Sequence, residues 1–245
     1  MKWNVLVLAG DRGPTDPVAQ AAGVRTKAFA DIAGRPMYEW VIEALREVDG
    51  LGDIAMSIAP DAPALPDDLI RLDAGPTPAT SLAAGLQQMG APLLVTTADN
   101  PLLTPDMVRD FLAGVGDADV AAAVSLKPVV EQAGNNARRT YLKFSDGWAS
   151  GCNLFALTTP QAANAVEFWK DLEAHRKSPL TMARKVGLGA LALFAMRMMS
   201  RERAARMIGA RAGCSARIVT LNHPNAAHDV DKAADIAFAN TKLSD

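Results

Sequence analysis

The loop after the first apolar run holds the first residues that could do chemistry. Its glycines can turn backbone N–H groups toward an anion, and Arg12 and Lys27 add fixed positive charge. A triphosphate needs both features more than any other class of ligand does. The loop is neither a GxGxxG nor a Walker A sequence, so the usual dinucleotide and P-loop interpretations fail, and an ordinary solvated loop remains the alternative. The candidate residues are Leu8, Ala9, Gly10, Asp11, Arg12, Gly13 and Lys27.

Two acidic motifs could hold a divalent cation. Asp99, preceded by Ala98, follows a buried strand pattern, and a carboxylate there is a hard oxygen ligand suited to Mg²⁺. Asp229 and Asp231 are alternate residues of an extended segment, so both could face one ion. Each motif also has a purely structural explanation. Asp99 could cap a turn, and Asp231 is a good N-cap for the last helix.

Apolar runs of strand length alternate with helical patterns, which is typical of βα units on a parallel sheet. Strands are predicted at residues 3–8, 53–59, 93–97, 119–126, 152–157 and 216–221, with a hairpin turn at 145–147. Helices are predicted at residues 37–48, 81–89 with Thr80 or Ser81 as N-cap, 105–112, 160–175, 179–185, 188–198, 201–212 and from about 231. Ligands collect at the carboxyl ends of strands in such sheets, so the first loop and Asp99 should meet at one edge. Short connections predict one domain over residues 1–245.

The bulk composition excludes several classes of protein. The chain has 245 residues and a formal net charge of −2, so no global field indicates a nucleic acid or a membrane as partner. Cys152 and Cys214 form no disulfide framework and no CxxC site, which indicates a reducing compartment. The apolar run at 186–196 is too short to span a membrane. We therefore expect a cytoplasmic protein without a transmembrane segment.

Positive charge is concentrated in one segment. Between His175 and Arg217 there are ten Lys or Arg residues and one acid, Glu202, a net charge of +9, whereas the rest of the chain has 15 basic and 26 acidic residues, a net charge of −11. The segment also contains an apolar stripe at helical spacing. It could be a core or homodimer-contact helix, or a surface that meets an anionic lipid or a polyphosphate acceptor. The stripe is Leu188, Leu191, Ala192, Ala195 and Met199, flanked by Arg184, Lys185, Arg197 and Arg201.

Four short motifs in order resemble those of the MobA-like NTP transferases, the nucleotidyltransferases related to molybdopterin guanylyltransferase. Residues 8–12, Lys27 and 34–37 resemble the opening motif, which ends in G-x-P. Residues 98–105, A-D-N-P-L-L-T-P, resemble the strand-end motif, and residues 151–155 its G-x-N. Residues 229–236 resemble the closing acidic motif. Asp11 stands where the family has a second glycine.

The resemblance implies a fold, a reaction and a set of roles. The fold would be a three-layer α/β/α arrangement with a mostly parallel sheet, similar to Rossmann-like and GT-A folds, with a basic helical insertion at about 167–212. The reaction would transfer a nucleotidyl group from a nucleoside triphosphate to a phosphorylated small molecule, with Mg²⁺ or Mn²⁺. The implied roles are Asp99 with Asp231 or Asp229 for the metal, Arg12 and Lys27 for the triphosphate, Thr80 and Ser81 for the base, and Arg139, Lys143 and Asn153 for the acceptor.

Two other functions stay open. A GT-A-type glycosyltransferase would use a nucleotide-sugar and also needs a metal-binding acid, but it does not need Arg12 and Lys27 around a triphosphate. A catalytically inactive nucleotide-binding regulatory protein is favoured by Asp11, because it places a negative charge where phosphates should approach. Pyrophosphate release distinguishes all three.

Overall fold

A computed structural model describes residues 2–10, 15–134, 139–175 and 177–244, without the side chains of residues 179 and 180. The strands within these ranges are β1 (Trp3–Leu8), β2 (Asp31–Ile32), β3 (Arg35–Pro36), β4 (Leu51–Ile58), β5 (Ile70–Asp73), β6 (Leu93–Thr97), β7 (Val120–Leu126), β8 (Leu142–Phe144), β9 (Gly147–Leu157) and β10 (Ala216–Leu221). The α-helices are α1 (Pro17–Ala22), α2 (Met37–Arg46), α3 (Pro78–Met89), α4 (Pro105–Val115), α5 (Lys127–Val130), α6 (Ala162–Ala174), α7 (Pro179–Val186), α8 (Leu188–Ala195), α9 (Arg201–Ala212) and α10 (Ala233–Leu243).

The main sheet has the strand order β10-β7-β9-β6-β1-β4-β5, and β8 pairs with β9 as its eighth strand. Strand β1 is parallel to β4 and β6, and β10 is parallel to β7. Strand β9 runs antiparallel between β6 and β7. The predicted fold class, a mostly parallel sheet between helical layers, is therefore confirmed. The predicted hairpin turn between β8 and β9 is also confirmed.

Strand β1 is buried on both faces, as a continuous apolar run predicts. Val5 and Val7 pack in one core with residues of α2 and α4. Leu6 points to the opposite face and packs with residues of α3 and α6. The sheet thus separates two hydrophobic layers, and its strand ends are held in fixed positions by packing on both sides.

Several predicted elements are present but have different bounds. Helix α3 begins at Pro78, with Thr77 as N-cap in a capping box with Thr80, so the predicted caps at Thr80 and Ser81 are wrong. A proline at the first helical position, preceded by a threonine, is the signal that places the start there. Strand β9 starts at Gly147, five residues before the predicted strand. Strand β5 and helix α1 were not predicted.

The apolar stripe of the basic segment does not face the core. The side chains of Leu188 and Leu191 are 64% and 38% exposed, whereas Ala190 and Met199 are buried. Partly buried Phe194 packs beside them against Phe144. Helix α8 is apolar on nearly all sides, so helical periodicity alone does not determine which face is buried. The core interpretation is therefore wrong for most of the stripe.

Candidate functional site

The carboxyl ends of β1 and β6 form the floor of the site. Leu8 lies beside Thr97 in the parallel register, and the N–H of Ala98 donates to the carbonyl of Leu8 at 2.9 Å. The N–H of Val230 donates to the carbonyl of Asp99 at 2.8 Å, which ties the loop before α10 to the same edge. Residues more than 200 positions apart in the chain therefore meet where ligands bind in open α/β sheets.

Lys27 lies between two acids at this edge. Its ammonium nitrogen is 2.6 Å from Oδ2 of Asp99 and 3.4 Å from Oδ1 of Asp231. It also donates to the carbonyl of Val230 at 3.3 Å. The Lys27 and Asp99 side chains are only 13% and 17% exposed, whereas Asp231 is 66% exposed. The three side chains bring one cation and two carboxylates to a single position.

The charge state of Lys27 is set by two opposing effects. Burial lowers the pKa of Lys27, but the charge of Asp99 and its hydrogen bond, together with the charges of Asp231 and Asp16, outweigh burial and raise the pKa. Lys27 is therefore a fixed cation, which is the state needed to bind phosphate oxygens.

Asp99 does not cap the turn that follows it. Its Oδ1 accepts from the hydroxyl of Thr97 at 2.5 Å, and its Oδ2 faces Lys27. Thr104 caps α4 instead, and accepts from the N–H of Met107. The structural alternative for Asp99 is thus wrong, and its carboxylate is directed into the site.

Three acids around the start of α10 have separate partners. Asp235 accepts from the N–H groups of Asp231 and Lys232 at 3.1 Å, so the predicted N-cap role of Asp231 belongs to Asp235 and Lys232. Asp229 pairs with Arg139. Asp231 is left to face Lys27. The extended segment placed two acids at alternate positions, but only one of them contacts the lysine.

A cleft of about 760 Å³ opens above the strand ends. Its volume is that of a small-molecule site. Of the predicted nucleotide residues, Ser81 lies in its wall, whereas Thr80 is absent from the described lining. The hydroxyl of Thr80 donates to the carbonyl of Thr77 at 2.7 Å, inside the capping box. The predicted residues that line the cleft are Leu8, Ala9, Gly10, Lys27, Ser81, Ala98, Asp99 and Asp231.

Sequence reasoning missed two parts of this cleft. Residues 75–78 form a wall, and the N–H of Gly75 donates to the hydroxyl of Ser81 at 2.9 Å. A Cβ at Gly75 would lie 2.4 Å from the hydroxyl oxygen of Thr80, so only glycine fits. The other wall is Asp16 and Pro17, and Asp16 caps α1. Both parts carry a recognisable signal, a capping residue followed by proline.

A second cleft of about 340 Å³ adjoins the first, and Asp231 lines both. Arg139 and Asn153, two of the predicted acceptor residues, line it together with Leu142. The third, Lys143, is not among the described residues of its lining. Successive residues of a strand point to opposite faces, so Leu142 faces the cleft and Lys143 lies over the ring of Trp148, 4.5 Å from its centroid. The described structure therefore does not bring Lys143 to this cleft, and its role toward an acceptor stays a prediction.

Asn153 has a left-handed backbone, with φ of 51°. Asn153 is on β9, at the place where the pairing with β7 shifts its register. On β7 the shift lies between Ala122 and Val124. An extra residue at such a bulge re-aims a side chain, and asparagine tolerates this conformation better than most residues. Strain of this kind is common in binding sites, and here it is found in the second cleft.

Arg139 is held by acids and by a histidine. It pairs with Asp229, its Nη2 donates to Nδ1 of His228 at 3.1 Å, and Asp235 lies 3.9 Å away. Burial, followed by the charge of Asp231, raises the pKa of Asp229, although Arg139 opposes this effect. Burial and the charge of Arg139 lower the pKa of His228 to about 4, so the ring is neutral and can accept. Arg139 lines the second cleft, but most of its donors are already engaged.

The sequence model of a protein family, the MobA-like NTP transferase domain, matches residues 5–213 of this chain. The chain belongs to this family. The resemblance read from the motifs is thereby confirmed, and the chain is a member of a nucleotidyltransferase family. The matched range includes Leu8, Lys27, Asp99 and Asn153 and ends before the acidic loop with Asp231. No curated protein matches the sequence significantly.

Solved structures of transferases share the fold. A hypothetical transferase from Thermus thermophilus is 29% identical, with a TM-score of 0.83, and covers 96% of this chain and 100% of its own. The 2-C-methyl-D-erythritol 4-phosphate cytidylyltransferase from the same species is 15% identical, with a TM-score of 0.58 and 100% of both chains covered. A CMP:2-keto-3-deoxy-manno-octonic acid synthetase in complex with CTP is 14% identical, with a TM-score of 0.62, and covers 100% of this chain and 99% of its own.

Three of the family's expected site residues lie outside the described residues. They are Asp11, Arg12 and Gly13. Of the opening motif, Leu8, Ala9, Gly10 and Lys27 line the larger cleft. No helix among the described residues is long and apolar enough to cross a membrane.

The acids at the strand ends fit a divalent cation only when a substrate supplies further ligands. Among the described residues, no group of three or more His, Cys, Asp or Glu side chains could hold a metal ion. Asp99 and Asp231 nevertheless face one common position, which the Lys27 ammonium fills. Mg²⁺ is commonly bound by one or two carboxylates, with substrate phosphates and waters as the remaining ligands. A two-carboxylate site completed by a triphosphate fits these residues.

Proposed function

We propose that this protein transfers a nucleoside monophosphate group from a nucleoside triphosphate to a phosphorylated small molecule and releases pyrophosphate. The observation that carries the proposal is the position of Asp231. It lines both clefts and shares the Lys27 ammonium with Asp99. Two substrates bound in the two clefts would meet beside one cation and two acids.

The larger cleft suits the triphosphate. Lys27 is a fixed cation there, and Ala9 and Gly10 line the same cleft. Residues 75–78 and Ser81 close the far wall, where the rest of the nucleotide would lie. Nothing in the described lining specifies the base.

The reaction needs no nucleophile from the protein. An oxygen of the acceptor phosphate forms a bond to the α-phosphorus, and the bond from that phosphorus to the oxygen bridging to the β-phosphate breaks. The electron pair of the broken bond leaves with pyrophosphate, whose new charge Lys27 is placed to neutralise. Positioning and charge stabilisation supply most of the acceleration in such transfers.

Asp99 and Asp231 would hold a divalent cation, Mg²⁺ or Mn²⁺, when the triphosphate is bound. Such an ion supplies positive charge to the phosphate oxygens and lowers the electrostatic cost of the transfer. Asp229 is a weaker candidate for this role, because its carboxylate is engaged by Arg139.

The smaller cleft suits the acceptor. Asn153 and Ser150 line it, and Lys232 adds a cation near Asp231. Arg139 contributes mainly by holding Asp229 and by fixing the loop that precedes α10. Thus we assign the direct contacts with the acceptor to Asn153 and Lys232, and a positioning role to Arg139.

The test is pyrophosphate release. The full chain is incubated with each nucleoside triphosphate, Mg²⁺ and a panel of sugar phosphates, alcohol phosphates and pterin phosphates. We expect pyrophosphate only with a matching pair of triphosphate and acceptor. Release of nucleoside diphosphate from a nucleotide-sugar would instead indicate a glycosyltransferase. Nucleotide binding without pyrophosphate for any acceptor would contradict the proposal and favour a regulatory protein.

A further inference from the structure

The exposed large apolar side chains are concentrated in one part of the described structure. All of them lie between residues 142 and 208. They are Leu142, Trp148, Leu188, Leu191, Met196, Met198 and Ile208. Four of these lie on α8 or in the turn after it. We call Leu188, Leu191, Met196 and Met198 the apolar patch.

Local structure fixes the apolar patch on the outside of the molecule. Ala190 and Phe194 anchor the inner side of α8, and the Phe194 ring packs edge-on against Phe144 at 5.7 Å. After the helix, the N–H of Arg197 donates to the carbonyl of Phe194 at 3.0 Å, and that of Met198 to Leu193 at 2.8 Å. Arg197 has a left-handed backbone, with φ of 57°. This tight turn ends α8 with Met196 and Met198 projecting outward, 59% and 58% exposed.

Exposed cations lie on both sides of the apolar patch. Arg184 precedes α8 and Arg197 follows it, and both are exposed. Within the described residues, neither of them makes a salt bridge, whereas Lys185 pairs with Asp171 and Arg201 pairs with Asp146. An apolar surface flanked by uncompensated positive charge is the combination that an anionic lipid surface binds.

The apolar patch is next to the acceptor cleft. Helix α8 packs over Val124 and Leu126 at the carboxyl end of β7, and over Phe144 at the end of β8. Leu142, on the same short strand as Phe144, lines the acceptor cleft and is 50% exposed. The patch and the cleft are thus linked by the hairpin of β8 and β9.

We infer that the apolar patch docks on the surface of an anionic membrane. A second copy of this chain is the competing occupant. In a symmetric dimer each patch would face the other, and the +9 segments between His175 and Arg217 would be brought together. Like charges in contact oppose such an interface. An anionic membrane satisfies both the apolar side chains and the cations.

Sedimentation with vesicles tests this inference. The full chain is mixed with vesicles of phosphatidylglycerol and phosphatidylcholine in equal parts, and with vesicles of phosphatidylcholine alone. Binding is expected only to the anionic vesicles, and it should weaken at about 0.5 M salt, where charges are screened within a few ångströms. Two double variants test the patch and its cations separately. We expect binding to the anionic vesicles to weaken by roughly tenfold or more in Leu188→Asp with Met198→Asp, and equally in Arg184→Glu with Arg197→Glu.

The matched control is Arg25→Glu with Arg46→Glu, which reverses two exposed cations outside the basic segment. It should bind like the wild type. Absence of binding at low salt, or equal binding of all variants, would overturn the inference. A dimer in analytical ultracentrifugation that Leu188→Asp dissociates would assign the patch to a second copy instead. No nucleotide is present in these measurements, so their outcome is independent of the proposed transfer reaction.

Discussion

The larger cleft at the strand ends, called the pocket below, and the basic segment between His175 and Arg217 both contain positive charge, but they hold it in different ways. In the pocket, Lys27 is 13% exposed and lies 2.6 Å from Asp99. In the segment, Arg184 and Arg197 are exposed, and within the described residues they form no salt bridge. Neighbouring carboxylates therefore hold the ammonium of Lys27 in one position. The exposed guanidinium groups of the segment are screened by salt and are not held by ion pairs within the described residues. The number of cations is a poor guide to function, and their burial and partners are a better one.

Removing Asp99 is the strongest test of this comparison. Asp99→Asn keeps the shape of the side chain but removes the charge that faces Lys27 and the proposed metal position. Loss of a ligand that supports several kcal/mol of transition-state stabilisation should lower kcat/KM by roughly 10³-fold or more. Steady-state pyrophosphate release measures this, and thermal unfolding checks that the fold is kept. The control is Asp106→Asn, at a carboxylate that is 75% exposed on α4. Full activity of the Asp99 variant would end the metal assignment.

Removing Lys27 is the next largest test. Lys27→Met should weaken triphosphate binding by roughly 10- to 100-fold, because a buried charge-assisted hydrogen bond to phosphate is lost. The pKa of Lys27 is raised above its ordinary value of 10.5 by its carboxylate neighbours, so the ammonium stays charged across the neutral range. The wild-type affinity should therefore not change through Lys27 near neutral pH. Calorimetry measures the affinity. The control Arg184→Met removes a cation from the basic segment and should leave the triphosphate affinity unchanged. Equal losses of affinity in both variants would show that the pocket and the segment do not differ in this respect.

The backbone and side chain of Asn153 can be separated by two substitutions. Asn153→Gly accepts the φ of 51° and loses only the carboxamide. Asn153→Ala also loses the carboxamide but keeps a Cβ in the left-handed region, without the short polar side chain that makes asparagine tolerate it, at a cost of about 1–2 kcal/mol. We expect both variants to raise KM for the acceptor, and only the alanine variant to lower the free energy of unfolding in urea. Equal stability of the two variants would show that the turn is not strained.

The smallest effect on activity is expected from His228, which accepts from Arg139 and is tested here through stability. The pKa of His228 is lowered to about 4 from 6.5, so the folded protein resists its protonation. The stability of the wild type relative to His228→Gln should therefore fall as the pH drops from 6.5 towards 4, and stay constant above that range. Urea unfolding of both proteins at a series of pH values measures the difference. A constant difference across the range would contradict the lowered pKa.

The sequence alone predicted much of the framework. The bounds of β1, β6, α9 and β10 were predicted correctly. Runs rich in apolar and β-branched residues show the strands, and a helix that starts at a serine cap and ends at a glycine shows both of its ends. Helix α1, with six residues, and strand β5, with four, were not predicted. Such short segments show too little hydrophobic periodicity to be recognised.

The sequence also predicted most of the residues at the strand ends, but it did not predict which of them contact each other. Asp99 and the loop before α10 were expected at one edge because parallel strands end together. Asp229, Asp231 and Asp235 have the same chemistry. The partners of Asp229 and Asp231 are 90 and 204 positions away in the chain, whereas Asp235 accepts from an N–H four positions before it. No local pattern can assign such partners.

By itself, then, the sequence determined the sheet, the family and the presence of a cation and acids at the edge where β1 and β6 end. Only the tertiary structure decided that Asp231 faces Lys27, that Leu142 faces the smaller cleft in place of Lys143, and that α8 presents its leucines to solvent. The physical reason is the same in each case. A periodic pattern fixes which residues share a face, but the neighbours that pack on that face come from distant parts of the chain.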